Sequence, residues 1–443
     1  MGCCQYHTLI SEEGESAFTI DPPMVTFGPG SLREVGPRAR SLGMSRVAVY
    51  TDPMVADLPM LRTVRDSLKQ AGLDVAVYDE CLVEPTDESF AEAARFARDG
   101  TFDGYISLGG GSVIDTCKIA NLLATHPLER DTLADEILGY INAPIGDAEP
   151  IEGPIAPHIA CPTTAGTGSE ATGIAICDIV SLDVKSGIAS AHIRPSQALV
   201  DPDCTAHLPR MVAACCAFDV LCHALESYTA RPYTSRDRVD HPVHRPASQG
   251  ANPWSDMGCR EALRLLGKYM IRGVNDASDA DARAELMWAS TLAGIAFGNC
   301  GVHVPHGMSY AIAGQIEECA IEDYPTNKPL VPHGMSVVVS APAVFRYTAA
   351  SAPQRHLQAA GLLGAETKEA TPDDAGTILS SRLAELMRSC GMPDGIGALG
   401  FSESHLDDLV EGAYAQQRLL VNAPIDMPRS ALRALFRDSM SVY

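Results

Sequence analysis

Two rhythms of apolar and polar positions divide the chain near residue 203. Before it, short apolar runs alternate with amphipathic stretches: 46–52, 73–79 and 104–108 read as strands, and 59–70, 87–98 and 113–124 as helices. Strands spaced by helices at this pace imply a parallel sheet with helices on both faces. Further strands are expected at 155–160, 173–178, 185–189 and 198–202, with 126–157 an irregular excursion rich in Pro, Gly and Asp. Residues 1–30 read as an irregular or strand-like arm, after which Ser31-Leu-Arg-Glu34 has the form of a capping box. Beyond Asp203 helical periodicity dominates, over 210–228, 256–273, 281–299, 335–348, 375–390 and 429–440. The pattern predicts an α/β domain over 1–203 and an all-helical domain over 204–443. Loops at 231–253 and 317–330 interrupt the second.

Composition narrows the partners. Lys and Arg number 33 against 56 Asp and Glu, a formal charge of −23, which repels phosphate backbones and anionic lipid. Nucleic acid and membrane are therefore not expected, and no apolar run approaches the length of a bilayer span. The 14 cysteines include no Cys-x-x-Cys pair, and many sit among apolar neighbours, as expected of reduced thiols used as small core residues. The N-terminus has no arginine before Arg33 and carries Glu12, Glu13, Glu15 and Asp21, unlike a transit peptide. Tyr6 stands where an acylation motif beginning Met1-Gly2 needs Ser or Thr. A cytoplasmic location is the expectation.

Candidate chemistry lies in both halves. Val304-Pro-His-Gly-Met-Ser309 recurs as Val331-Pro-His-Gly-Met-Ser336, setting His306 and His333 in matched surroundings. Asp219 and His223, four apart in a helical stretch, share one face. One carboxylate and three imidazoles suit a divalent transition metal, iron(II) or zinc. In the α/β half, Gly109-Gly-Gly-Ser112 follows a strand and opens a helix, where bare backbone N–H groups can face a pyrophosphate. Asp115 falls in that helix's first turn. Thr163, Thr164, Thr167, Gly168 and Ser169 follow another strand, the end of an open sheet where ligands bind. Asp52, after an earlier strand, suits ribose hydroxyls and favours NAD over NADP. Lys185 reads equally as a charge near the nucleotide or a solvated strand end.

Gly109-GGSVIDTCK, Pro162-TTAGTGSE, Asp219 with His223, and His306 with His333 together resemble the iron-containing alcohol dehydrogenase family, in family order from about residue 20 onward. Val83-EPTD, Tyr140-INAPIG, Phe218-DVLCHALESY, Arg245-PASQGANPWSD and Gly298-NCGVHVPHGMSY resemble its hydroxyacid-oxoacid transhydrogenase branch. The resemblance implies a Rossmann-like NAD-binding domain, a helical dehydroquinate synthase-like metal domain, and a cleft between them. It implies one metal, iron(II) before zinc, held by Asp219, His223, His306 and His333. It implies NAD contacts at Asp52, Gly110, Gly111, Ser112, Asp115, Thr163, Thr164 and Lys185, and a dimer or larger homo-oligomer. The branch oxidises 4-hydroxybutyrate to succinate semialdehyde and passes the hydride to 2-oxoglutarate, keeping the nicotinamide between half-reactions. Simple members of the family carry a histidine four residues after the third ligand. Here Tyr310 stands there, leaving the proton to Tyr310, the nicotinamide ribose or water. Arg245, in the long loop, is a candidate for the substrate's distal carboxylate or a surface arginine, and His303 a pocket residue or a packed one. A plain NAD-dependent dehydrogenase of neutral alcohols is the alternative activity, and a structural or absent metal the non-enzymatic one.

Overall fold

The computed structural model describes residues 14–182, 184–324 and 329–443. The readings placed on residues 1–13 (Tyr6, Glu12, Glu13) and on 325–328 of the acidic loop lie outside them. The chain divides into two compact units, Pro22–Ala206 and His207–Tyr443, the latter joined by the arm that precedes Pro22. The sequence reading had placed that arm in the α/β half. The Glu15 N–H bonds the Arg236 carbonyl at 2.7 Å, the Thr19 N–H bonds Gln249 Oε1 at 2.7 Å, and the Phe18 ring packs edge-on to Tyr233. These contacts are made with a loop of the helical half, so the arm belongs to that half.

The α/β unit is built on six parallel strands: β1 (Met24–Phe27), β2 (Arg46–Tyr50), β3 (Asp74–Tyr78), β4 (Gly104–Gly109), β5 (His158–Pro162) and β8 (Gln197–Val200). Their order is β1-β8-β5-β4-β2-β3. Strands β4 and β5 are buried at every position, as central parallel strands covered on both faces must be. Strands β6 (Ile174–Ile179) and β7 (Val184–Ala189) form a separate antiparallel hairpin. No capping box opens the first helical turn: left-handed Gly30 occupies the N-cap, with no side-chain cap bond, ahead of a 3₁₀ turn over Ser31–Glu34. The excursion at 126–157 contains a helix, Leu133–Tyr140, opened by a Thr132–Asp135 capping box.

The helical unit has its core around Arg210–Thr229, Pro253–Asn275 and Ala280–Cys300. Arg210–Thr229 is 20 residues and contains an 18-residue window of mean hydropathy 1.3, long and apolar enough to cross a bilayer by those measures alone. That corrects the expectation that nothing approached such a length. Ninety-four per cent of its apolar window is buried inside the protein, so its apolarity serves the core. The stretch expected as one helix over 335–348 is two, His333–Val338 and Ala341–Thr348, because Pro342 supplies no N–H to continue the first and opens the second. Val304–Gly314, Pro353–Leu362 and Leu406–Tyr414 are helices the periodicity did not bring out.

Candidate active site

The repeated hexapeptide is a repeated piece of local structure. In each copy the proline starts a helix, and the histidine sits in its first turn: Val304–Gly314 carries His306, and His333–Val338 begins on His333. In each, the serine hydroxyl donates back to the histidine carbonyl, Ser309 to His306 at 2.7 Å and Ser336 to His333 at 2.8 Å. Gly334 lets its helix lie against Arg210–Thr229, since a Cβ there would overlap the Cys215 carbonyl. The turn holding His333 thereby reaches the helix holding Asp219 and His223.

Asp219 Oδ1 is the convergence point. It lies 3.5 Å from His223 Nε2, 3.5 Å from His306 Nε2 and 3.7 Å from His333 Nε2. These separations are too long for hydrogen bonds. They match donors about 2.1 Å from a shared tetrahedral ion, which stand roughly 3.4 Å apart. Asp219 Oδ1 and His306 Nε2 are both buried without a hydrogen-bond partner, a costly state that a cation would relieve. The donor atoms of Asp219, His306 and His333 lie within 4.8 Å of one another, and His223 joins them through Asp219. The residues present fit a divalent metal.

The electrostatics agree. Burial opposes ionisation of Asp219, but the imidazoles of His223, His333 and His306 override it and hold its pKa down to about 2. Burial keeps His223 neutral, with its pKa lowered to about 4 despite Asp219. His306 goes the other way: burial works against protonation, yet Glu226 and Asp219 raise it to about 10. Two carboxylates against one imidazole leave an excess of negative charge, and a proton or a metal cation answers it.

Glu226 is the residue the sequence reading missed. It lies on the same helical face as Asp219 and His223, at a spacing of 219, 223, 226 that could have revealed it. Fully buried, it accepts from His306 Nδ1 at 2.6 Å and from the His303 N–H at 2.6 Å. Accepting this bond holds the proton on Nδ1 and leaves Nε2, which faces Asp219, to ligate a metal. Glu226→Gln is therefore expected to weaken metal binding about 10- to 100-fold without removing a ligand. Competition with a chromogenic chelator measures it.

The remaining candidates in this unit are placed as follows. His303 is fully buried; its Nδ1 accepts from the Val304 N–H at 2.7 Å, and its Nε2 meets Thr229 Oγ1 at 3.1 Å. Both ring nitrogens are engaged within the chain, as in a packed histidine. Arg245 donates to Glu15 Oε2 at 3.2 Å, tying the loop to the arm and giving its guanidinium a carboxylate from this chain. Tyr310 follows His306 by one turn of the same helix, and its hydroxyl accepts from Arg418 Nη2 at 3.1 Å.

In the α/β unit, Gly109 of β4 pairs with Pro162 of β5, which sets the two loops that follow side by side. A Cβ on Gly111 would stand 2.7 Å from the Thr167 side chain, and one on Gly110 3.2 Å from that of Thr164, so the loops touch through glycine. The Thr163 N–H bonds the Gly109 carbonyl at 3.0 Å. Gly110 caps the helix Gly111–Thr125, leaving its first-turn N–H groups at the end of β4 with Ser112. Asp52 caps a short helix, with Oδ1 accepting from Met54 and Val55, both at 2.9 Å. Asp115 and Lys185 are tied internally. Asp115 bonds Ser169, Lys118 and the Ile176 N–H. Lys185 pairs with Glu84 at 2.6 Å and Asp178 at 2.9 Å, and these carboxylates hold its pKa above the ordinary lysine value although burial acts to lower it. Lys185 is thus neither a solvated strand end nor short of anionic partners. No disulfide joins the cysteines among the described residues.

Comparison with known proteins gives these loops and ligands a setting. Residues 22–202 match the model of iron-containing alcohol dehydrogenase, and 213–440 match that of the Fe-containing alcohol dehydrogenase family, C-terminal. A Bos taurus protein named hydroxyacid-oxoacid transhydrogenase, mitochondrial, is 46% identical over 428 residues, covering 96% of this chain and 91% of its own. A solved 1,3-propanediol oxidoreductase superposes with a TM-score of 0.82 at 25% identity, covering 96% of this chain and 100% of its own. A sulfoacetaldehyde reductase from Bifidobacterium kashiwanohense, solved in complex with NAD+, gives 0.78 at 23%, covering 96% and 100%. The cytoplasmic expectation is overturned, since close relatives are named mitochondrial.

Proposed function

Because the chain belongs to the iron-containing alcohol dehydrogenase family, an NAD-dependent oxidoreductase family with a divalent metal, we propose that it is a hydroxyacid-oxoacid transhydrogenase. It would take a hydride from 4-hydroxybutyrate, giving succinate semialdehyde, and deliver it to 2-oxoglutarate, giving 2-hydroxyglutarate. The observation that carries the chemistry is the buried, unbonded Asp219 Oδ1 facing three imidazole Nε2 atoms. Asp219, His223, His306 and His333 would hold the metal, iron(II) before zinc, and Glu226 would keep His306 in its ligating tautomer. When bound, the metal polarises the substrate oxygen as a Lewis acid and the nicotinamide carries the hydride.

The chain's own groups supply positioning. Gly110, Gly111 and Ser112 would let the pyrophosphate reach the N-terminus of Gly111–Thr125, with Thr163, Thr164 and Thr167 alongside. Asp52 would accept from the ribose hydroxyls through Oδ2, since the bonds described engage Oδ1. Asp115 and Lys185 would act at one remove, bracing the loops through their internal pairs. The substrate's hydroxyl proton would leave through the nicotinamide ribose or water, since Tyr310, one turn past His306, is a neutral hydroxyl bonded to Arg418. A dimer or larger homo-oligomer is part of the same proposal.

The test is spectroscopic. Purified protein mixed with 4-hydroxybutyrate alone is expected to show the near-ultraviolet band of reduced nicotinamide, which 2-oxoglutarate then bleaches. A band that appears only after NAD is added, or only with a neutral alcohol, would make the protein a conventional dehydrogenase.

A further inference from the structure

The chain beyond Leu406–Tyr414 lies directly on the helix that carries His306. Leu420 packs on Gly307, where a Cβ would stand 3.1 Å from Leu420 Cδ2. Asn422 Nδ2 donates to the carbonyls of Cys300 at 3.3 Å and Val302 at 3.2 Å, just ahead of that helix. These contacts fix the turn Gln417–Leu420, and with it Arg418, against Tyr310. Arg418 Nη2 donates to Tyr310 Oη at 3.1 Å, and the guanidinium carbon lies 5.8 Å from the ring centroid. Among the described residues that tyrosine is the only polar partner Arg418 has.

The contrast with its neighbours is informative. The chain carries 56 acidic residues against 33 basic ones, and Arg231, Arg245, Arg355, Arg429, Arg433 and Arg437 of the same unit hold carboxylates, whereas Arg236 bonds the Asn422 amide, Arg346 the Ser380 hydroxyl and Arg418 the Tyr310 hydroxyl. Arg418 is half-buried and holds a neutral hydroxyl, which occupies one of its five N–H donors. A planar edge remains for a carboxylate from outside the chain.

Resting on the hydroxy-acid reading above, we propose that Arg418 binds the distal carboxylate of both substrates, and that Tyr310 positions it. His306 and Tyr310 are four residues apart on one helix, so their Cβ atoms stand roughly 5–6 Å apart on the same face. A substrate whose reacting oxygen lies at the His306 end would present its far end toward the Tyr310–Arg418 pair. The two proposed substrates share the required shape. In 4-hydroxybutyrate two methylenes separate the carbinol carbon from the carboxylate. In 2-oxoglutarate two methylenes separate the keto carbon from the distal carboxylate. One arginine at a fixed distance therefore serves both half-reactions. Arg245, already paired with Glu15, is the weaker candidate for the role.

The test uses the full chain with its metal and nicotinamide, in wild-type, Arg418→Gln and Arg418→Lys forms. Reduction of the nicotinamide by 4-hydroxybutyrate and its reoxidation by 2-oxoglutarate are followed separately against concentration, with 1-butanol as a donor lacking the carboxylate. Arg418→Gln is expected to raise the half-saturating concentration of both acids about 30- to 100-fold relative to butanol, the worth of one bidentate charge-assisted pair. Arg418→Lys, which keeps the charge but not the fork, is expected to fall between. An equal loss with acids and butanol, an effect on one acid alone, or no effect would overturn the assignment. If the wild-type protein oxidises butanol but not 4-hydroxybutyrate, the hydroxy-acid reading falls and takes this one with it. A wild-type response to 4-hydroxybutyrate that Arg418→Gln leaves intact sinks only the arginine.

Discussion

Asp219→Ala is expected to strip the protein of its divalent metal and to lower kcat/KM at least about 10³-fold, while the helical unit stays folded. Asp219 Oδ1 is the atom that all three imidazoles face, at 3.5, 3.5 and 3.7 Å. Without it, three neutral donors remain with no anionic ligand of their own. The polarisation a metal gives a reacting oxygen amounts to several kcal/mol, and each factor of ten in rate corresponds to about 1.4 kcal/mol. Stability should move differently. Asp219 is buried with an unbonded oxygen, so its removal relieves a desolvated charge as well as deleting attractions to His223 and His333. Metal analysis, turnover and far-ultraviolet circular dichroism on the same sample check all three parts. Retained metal with lost turnover would move Asp219 from ligand to some other role, and retained turnover would dismiss the site.

That Asp219, His223, His306 and His333 form one cluster was legible in the sequence because two of them repeat in one hexapeptide and the other two sit a helical turn apart. The parallel sheet was legible for a similar reason: β2, β3 and β4 are apolar runs separated by well-marked amphipathic helices. What failed to show has physical causes. Val304–Gly314 is apolar on nearly every side, so burial erased the periodicity that reveals a surface helix. Glu226 looked like any acid of an acidic chain, and only the fold brings it to His306 Nδ1. Arg418 lies in a four-residue turn after Leu406–Tyr414 with no pattern of its own, and its position depends on Leu420 meeting Gly307. The readings of His303 and Arg245 stayed open in the sequence because a histidine beside a ligand and an arginine in a long loop carry no mark of their partners. Those partners, Thr229 and Glu15, are 74 and 230 residues away.

Lys118→Met should be the most destabilising single change in the nucleotide-binding half, by roughly 3–5 kcal/mol, the cost of leaving a buried charge without its partner. Lys118 is fully buried, and its ammonium donates to Ser169 Oγ and to the Ile174 carbonyl, each at 2.6 Å, and to Asp115 Oδ1 at 3.3 Å. Burial pulls its pKa below the ordinary lysine value even with Asp115 beside it. It thus joins three pieces that must stay in register: the helix after the glycine loop, the Thr-rich loop ending at Ser169, and the start of β6. Methionine fills much of the same volume but leaves Asp115 and the Ile174 carbonyl short of a donor. Calorimetry of the full chain should show the α/β unit melting earlier while the helical unit holds, and nicotinamide affinity should fall with it. Asp115→Asn separates the two meanings of Asp115. A bracing carboxylate predicts that this change reproduces part of the Lys118→Met loss of stability. A carboxylate acting only on the nucleotide predicts weaker cofactor binding with an unchanged melt.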